Sequence, residues 1–208
     1  MPGSTEGGRT PWGEIKTGAS LLKKDKSYRN FIITRALLMT IPLLDPFFIL
    51  VAKNISNTSW NYLGLIIVIG SLAQIVSSPI WGRLADKSSL RLMRISAGLS
   101  IMSILYALIF IYFENDNLNF YYFMPVIFIN GVAYSGARLS RKTYIIDYSP
   151  EKDRPTYVSV ANTLIGLFTI IAASFGLVAE YFGLAYQFWF FLLLLIACIL
   201  LSFTLKKV

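Results

Sequence analysis

One carboxylate lies where carboxylates are costly. Asp45 falls within an apolar stretch running from about Phe31 to Ala52, between Pro42 and Pro46 and eight residues before Lys53. At the helical rise it sits about 12 Å inside the end that Lys53 marks. An ionised Asp at mid-bilayer costs about 2.5–3.5 kcal/mol on insertion scales. Asp45 must therefore face water, pair with a cation or stay protonated. The chemistry open to it is proton coupling or substrate binding, and the two prolines would free backbone carbonyls and bend the helix, as in gating helices. An acid that lines an outer vestibule and couples nothing fits the same residues. Three side-chain amides, Gln74, Asn130 and Asn162, occupy other apolar stretches. They line a cavity or form interhelical hydrogen bonds of about 0.6–2 kcal/mol. Arg35 reads as a snorkelling anchor rather than a ligand.

Other chemistries lack their residues. The 208-residue chain has no histidine, which removes most zinc sites, Ser-His-Asp and Cys-His nucleophiles and imidazole acid–base catalysis. Its one cysteine, Cys198, lies in an apolar run, so the monomer has no disulfide framework. There are no paired acids within a span, no Ser–Lys or Asp–Asp constellation at membrane depth and no phosphate-cradling glycine loop. The sequence thus gives no catalytic residue, no metal site and no cofactor, and an enzyme is not expected. No filter-like loop or charged ring suggests a channel.

The elements that must position these groups are membrane spans. Hydrophobic residues make up 55% of the chain and charged residues 14%, with mean hydropathy +0.60, which is not a soluble globular composition. Six apolar segments, each near the length of about 20 residues that a bilayer requires, fall at about 31–52, 61–81, 92–113, 120–137, 156–181 and 185–205. Residues 1–28 form a polar, basic lead-in or linker without a signal-peptide core, and 29–208 form the transmembrane domain. A short interfacial helix around Trp12 to Leu22 is compatible with the lead-in. Met1 reads as an internal start or as a fragment boundary.

Charge sets the orientation. If the chain begins inside, the lead-in, the connectors after spans two and four, and the C-terminus share one side. That side holds every Lys and Arg except Lys53, while Glu114, Asp116 and Glu180 lie opposite. The expected topology is N-in and C-in. The net charge of +8 then faces anionic lipid headgroups, and nucleic acid is not an expected partner. In the connector Arg138–Pro155, Ser149-Pro150 reads as a helix start, with Ser as cap and Pro at the first position. Small residues at four-residue spacing, Ser96/Ser100 and Ala172/Gly176, suit close helix packing.

The connector after span two carries a motif: Gly82, Asp86, Lys87 and Arg91, with Ser89 and Leu90 in between. It resembles the loop signature of major facilitator superfamily transporters, Gly-x-x-x-Asp-Arg/Lys-x-Gly-Arg-Arg/Lys, with Ser89 in place of the second Gly and Leu90 in place of an Arg. Such loops join the second and third helices of each six-helix half, and the later copy is commonly the more degraded. The resemblance therefore implies the C-terminal half of a twelve-helix transporter, built as two three-helix repeats. It also implies a latch pairing Asp86 with Arg138 or Arg141. Polar groups in spans one, two, four and five, against almost none in three and six, agree: the first four should face inward and the other two lipid.

The implied function is transmembrane transport of a small, unidentified solute by alternating access, with proton coupling an open option. The expected partners are the lipid bilayer, that solute, and either an N-terminal six-helix half or a second copy of the chain. The expected location is a bacterial cytoplasmic (inner) membrane. The alternative is a six-helix membrane scaffold, or a permease fragment without transport activity of its own.

Overall fold

The computed structural model describes residues 20–56, 61–113 and 120–207. They form α1 (Lys26–Leu38), α2 (Thr40–Leu43), α3 (Asp45–Ser56), α4 (Asn61–Lys87), α5 (Ser89–Tyr112), a 3-10 turn (Phe120–Phe123), α6 (Met124–Tyr148), α7 (Arg154–Ala173), α8 (Gly176–Phe182) and α9 (Leu184–Ser202), with no strand among the described residues. Residues 20–24 are also helical. Most of the Trp12–Leu22 helix and the Glu114–Asn117 turn lie outside the described residues.

Five stretches are long and apolar enough to cross a membrane: Lys26–Asn54, Tyr62–Lys87, Ser89–Tyr112, Arg154–Phe182 and Leu184–Ser202. The expected fourth span falls on α6, which at 25 residues is about 38 Å long. It is absent from the five because Asn130, Arg138, Arg141 and Lys142 interrupt its apolar run. Asn130 is enclosed where α6 packs along both α4 and α5, whereas Arg138 and Lys142 are exposed and Arg141 is half-buried.

Several boundaries differ from the sequence reading, each for a local reason. The first span is broken into α1, α2 and α3. Pro42 and Pro46 have no N–H to give to the carbonyls one turn back, and the chain tightens around them, Met39 N–H reaching Ala36 O at 3.0 Å. The motif connector is one residue long: α4 runs through Lys87, and Ser88, whose Oγ accepts the Arg91 N–H at 3.3 Å, caps α5. The long connector Arg138–Pro155 shrinks because α6 continues to Tyr148. Ser149 ends that helix instead of starting the next, its Oγ donating back to Ile145 O at 2.5 Å. The proline that opens α7 is Pro155, not Pro150. The fifth span breaks at Ser174 and Phe175, whose N–H groups turn to Ile171 O and Ala172 O at 3.0 Å each. Gly183, with φ 92°, separates α8 from α9, a conformation that suits a residue without Cβ.

Burial within the bundle also departs from the pattern of polar residues. The third and sixth spans, expected to face lipid, bury 44% and 33% of their apolar windows, whereas the second and fifth bury only 17% and 22%. Small side chains explain the first value. Ser96, Ala97, Ser100, Ser103 and Ala107 line the buried side of α5, and Gly131, Ala133, Gly136, Ala137 and Ser140 that of α6. With so little side chain between them, the two backbones run close together. Gly176, in contrast, has nothing within 4 Å of where a Cβ would stand.

At the basic end, side chains tie the first span to the later ones. Asp25 caps α1, accepting the Tyr28 N–H at 2.9 Å and the Tyr148 hydroxyl at 2.6 and 2.7 Å on its two oxygens. Tyr28 OH donates to Tyr157 O at 2.6 Å, and Tyr144 OH to Lys206 O at 3.1 Å. Burial, and then the bond to Asp25, push the Tyr148 phenol above its ordinary range, so it stays a donor. Arg94 bonds the Oγ and carbonyl of Ser202 at 2.9 and 3.0 Å and lies over the Phe203 ring, holding α5 to the end of α9. At the other end the core is aromatic, with Phe48 against both Phe188 and Phe123.

The approach of α6 to the α4 backbone supplies a test. A Cβ on Gly131 would come within 2.8 Å of Gly70 O and 2.9 Å of Ala73 Cβ. Elsewhere in a helix, Ala for Gly gains about 0.8–1.0 kcal/mol. Gly131→Ala is expected to destabilise instead, by about 1–3 kcal/mol, because α4 and α6 must separate. Gly98→Ala, at a position with open space, serves as the control and should not destabilise. Thermal unfolding in detergent, followed by circular dichroism, reads both.

Candidate functional site

The break that the prolines impose decides where Asp45 points. It is the first residue of α3, where the free N–H groups of the first turn favour a negative charge. Asp45 is an exposed residue of the bundle, while Asn130 beside it is only 1% exposed. Asn130 Nδ2 donates to Asp45 Oδ1 at 2.9 Å and to Ile41 O at 3.3 Å. Its own Oδ1 accepts the Ser100 hydroxyl at 3.0 Å. One buried amide thus joins the broken first span, α5 and α6. A carboxylate open on one side and held by a fixed amide on the other can exchange a proton with water or accept a donor from a solute.

Of the other candidates, Asn162 belongs to a second locus, about ten residues toward the basic end. Asn162, exposed on α7, accepts Arg35 Nη2 at 2.7 Å. One turn above Arg35, Met39 Sδ accepts Arg141 Nη1, also at 2.7 Å. Gln74 is half-buried on α4, and its backbone carbonyl accepts the Ser77 hydroxyl at 3.3 Å. Its side chain belongs to neither locus.

The motif residues stand apart from both. Gly82, Asp86 and Lys87 lie in the last turns of α4, and Arg91 in the first turn of α5. No neighbouring backbone comes within 4 Å of the Gly82 Cβ position. Asp86 is exposed. Arg138 lies over the Tyr134 ring at 6.0 Å and Arg141 is turned to Met39, so neither arginine is joined to Asp86 by a hydrogen bond or ion pair among the described residues.

Two features escape the sequence reading. Ser100 reads as a packing residue but is the donor that fixes Asn130. Asp25 is lost in a stretch read as a polar, basic lead-in, although Asp directly before a helix is a standard cap signal. Tyr144 and Tyr148, spaced to share a helix face, supply the other half of its cluster.

A family model of the Major Facilitator Superfamily matches residues 30–208, most of the chain, and the chain belongs to that family. No curated protein and no solved structure matches it. The family is one of membrane transporters rather than enzymes. At that level the chain is a multi-pass integral membrane transport protein, in keeping with its five long apolar spans.

Asn130→Ala strands both the Ser100 hydroxyl and the Asp45 carboxylate. It is expected to cost about 1–3 kcal/mol in thermal unfolding. Ser100→Ala should cost less, about 0.6–1.7 kcal/mol. The double variant should fall short of the sum, because the two residues share one bond.

Proposed function

We propose that the chain is one six-helix half of a solute permease, with α6 as its fourth crossing, and that it works by alternating access against a second half. The observation that carries this reading is Asp45. A carboxylate exposed at a proline break, with a buried amide as its fixed partner, is the arrangement expected of a coupling or binding group that faces an aqueous pathway. The low burial of the second and fifth spans supports it. Ile67, Val68, Leu72, Ile75 and Val76 of α4, and Leu167, Ile170 and Ile171 of α7, are exposed, and an N-terminal six-helix half or a second copy of the chain would cover such faces. The basic end, with Arg91, Arg94, Arg138, Arg141 and Lys206, faces the cytoplasm by the positive-inside rule, and the host membrane is the bacterial cytoplasmic membrane. In this reading Asp86 and Arg138 or Arg141 meet only in another state of the cycle. Coupling is to protons, through Asp45.

Proteoliposomes with an imposed pH gradient test this. The chain alone and the chain with a co-expressed N-terminal half are assayed against a panel of labelled solutes, each with Asp45→Asn alongside. Gradient-driven uptake is expected in one of the two preparations, falling at least about tenfold in Asp45→Asn, in the range that loss of a proton-transfer group produces. Uptake that is unchanged in Asp45→Asn would remove the coupling role. Folded, monodisperse protein that moves nothing in either preparation would favour a scaffold.

A further inference from the structure

Two guanidiniums lie one helical turn apart along the first span, Arg35 on it and Arg141 against Met39, and neither has an anionic partner among the described residues. Arg35 lies nine residues into α1 and Arg141 seven residues before the end of α6. Both are half-buried. The positive-inside rule requires Lys and Arg near the ends of spans and would let these side chains extend outward into water. They turn to neighbouring helices instead. Arg35 spends one donor on the Asn162 amide oxygen, and its Nε is buried with no hydrogen-bond partner. Arg141 gives a donor to the Met39 thioether, a weak acceptor.

Each guanidinium has five N–H donors, yet no carboxylate among the described residues accepts from either. Of the charged groups that act on Arg35, Arg141 is the foremost, with the same sign. Arg138 adds a third positive charge beside Arg141. Like charges held together in a low-dielectric setting repel strongly. With no carboxylate among the described residues accepting from them, the remaining donors are left for an acceptor from outside. The acceptor that suits two planar forks flanked by an amide is itself planar or tetrahedral and anionic, taking two donors at once.

From this geometry we infer that Arg35 and Arg141, with Asn162 beside them, form a binding site for a carboxylate or phosphate group, carried by a solute or by a lipid headgroup. The inference deepens the transport reading by giving its solute a charge. The Met39 thioether occupies one Arg141 donor until the anion arrives. Arg141 then belongs to ligand binding in addition to any role at the cytoplasmic latch.

Binding can be measured without transport, so this inference and the transport reading can fail separately. The full chain in phosphatidylcholine nanodiscs is titrated with succinate and with inorganic phosphate, by calorimetry and thermal unfolding. A second set of discs carries phosphatidylglycerol. Saturable binding of at least one soluble probe, weakened at least about tenfold in Arg35→Gln and in Arg141→Gln, is expected from loss of a charge-assisted pair. Arg35→Lys keeps the charge but loses the fork and should bind with intermediate affinity. It also stands in for Arg35→Gln if that variant does not fold. Stabilisation found only in the phosphatidylglycerol discs, and abolished by Arg141→Gln, would identify the anion as a headgroup. No saturable effect from any of the three, or an effect unchanged in the folded double variant, would overturn the inference.

Discussion

The amide of Asn130 is the constraint on which the membrane-embedded part of the bundle depends. A buried primary amide must have its donors and acceptor satisfied, or it costs more than any apolar side chain of its size. Here its partners come from three different elements: the Ser100 hydroxyl on α5, the Ile41 carbonyl, and the Asp45 carboxylate at the head of α3. The carbonyl partner lies in the segment that the two prolines disrupt. That carbonyl also accepts the Leu44 N–H at 3.3 Å, and the amide adds a second donor to it at the break. Fold and candidate site thus rest on the same few hydrogen bonds.

Packing around that amide follows from side-chain size. Gly131 is its immediate neighbour on α6 and touches the α4 backbone at Gly70. Five residues on, a Cβ at Gly136 would collide with Ser96 Oγ on α5 and stand 3.3 Å from Trp81 on α4. In lipid there is little hydrophobic gain in bringing helices together, so contact comes from close backbone approach and from the few polar groups available. The α4–α5–α6 unit supplies both. The first span joins it through Asn130, Arg141 and the Asp25–tyrosine cluster, and α7 and α9 close around the first span.

The sequence makes the spans and the polar groups plain, because hydropathy and a carboxylate between two prolines are local signals. Which groups meet is a tertiary matter. Asn130 and Asp45 lie 85 residues apart and Arg35 and Asn162 lie 127 apart, and no spacing rule links them. Helix ends suffer from a different ambiguity. Arg138, Arg141 and Lys142 look like a connector because charged residues usually mark one, but a helix that runs on beyond its apolar stretch carries them, Arg138 and Lys142 exposed and Arg141 half-buried. Ser149-Pro150 and Asp153-Arg154-Pro155 are both helix-start patterns, and only packing selects the second. The polar pattern misleads about burial because it reports where water or another protein surface lies, not which helix is central within one bundle.

The tail of the last span closes on the start of the first: Asn30 Nδ2 donates to Thr204 Oγ1 at 3.0 Å, and Lys206 N–H to Ser27 Oγ at 3.3 Å. These partners are separated by 174 and 179 residues. At ribosomal speeds of about 5–20 residues per second, the second member of each pair is made roughly 10–35 s after the first. Throughout that interval the closing partners of the first span's head are not yet synthesised. Ser27 and Asn30 must use water or headgroups in the meantime. The contacts from Thr204 and Lys206 are therefore the last at the basic end whose partners are synthesised, after Tyr148 and Tyr157 are already available to Asp25 and Tyr28.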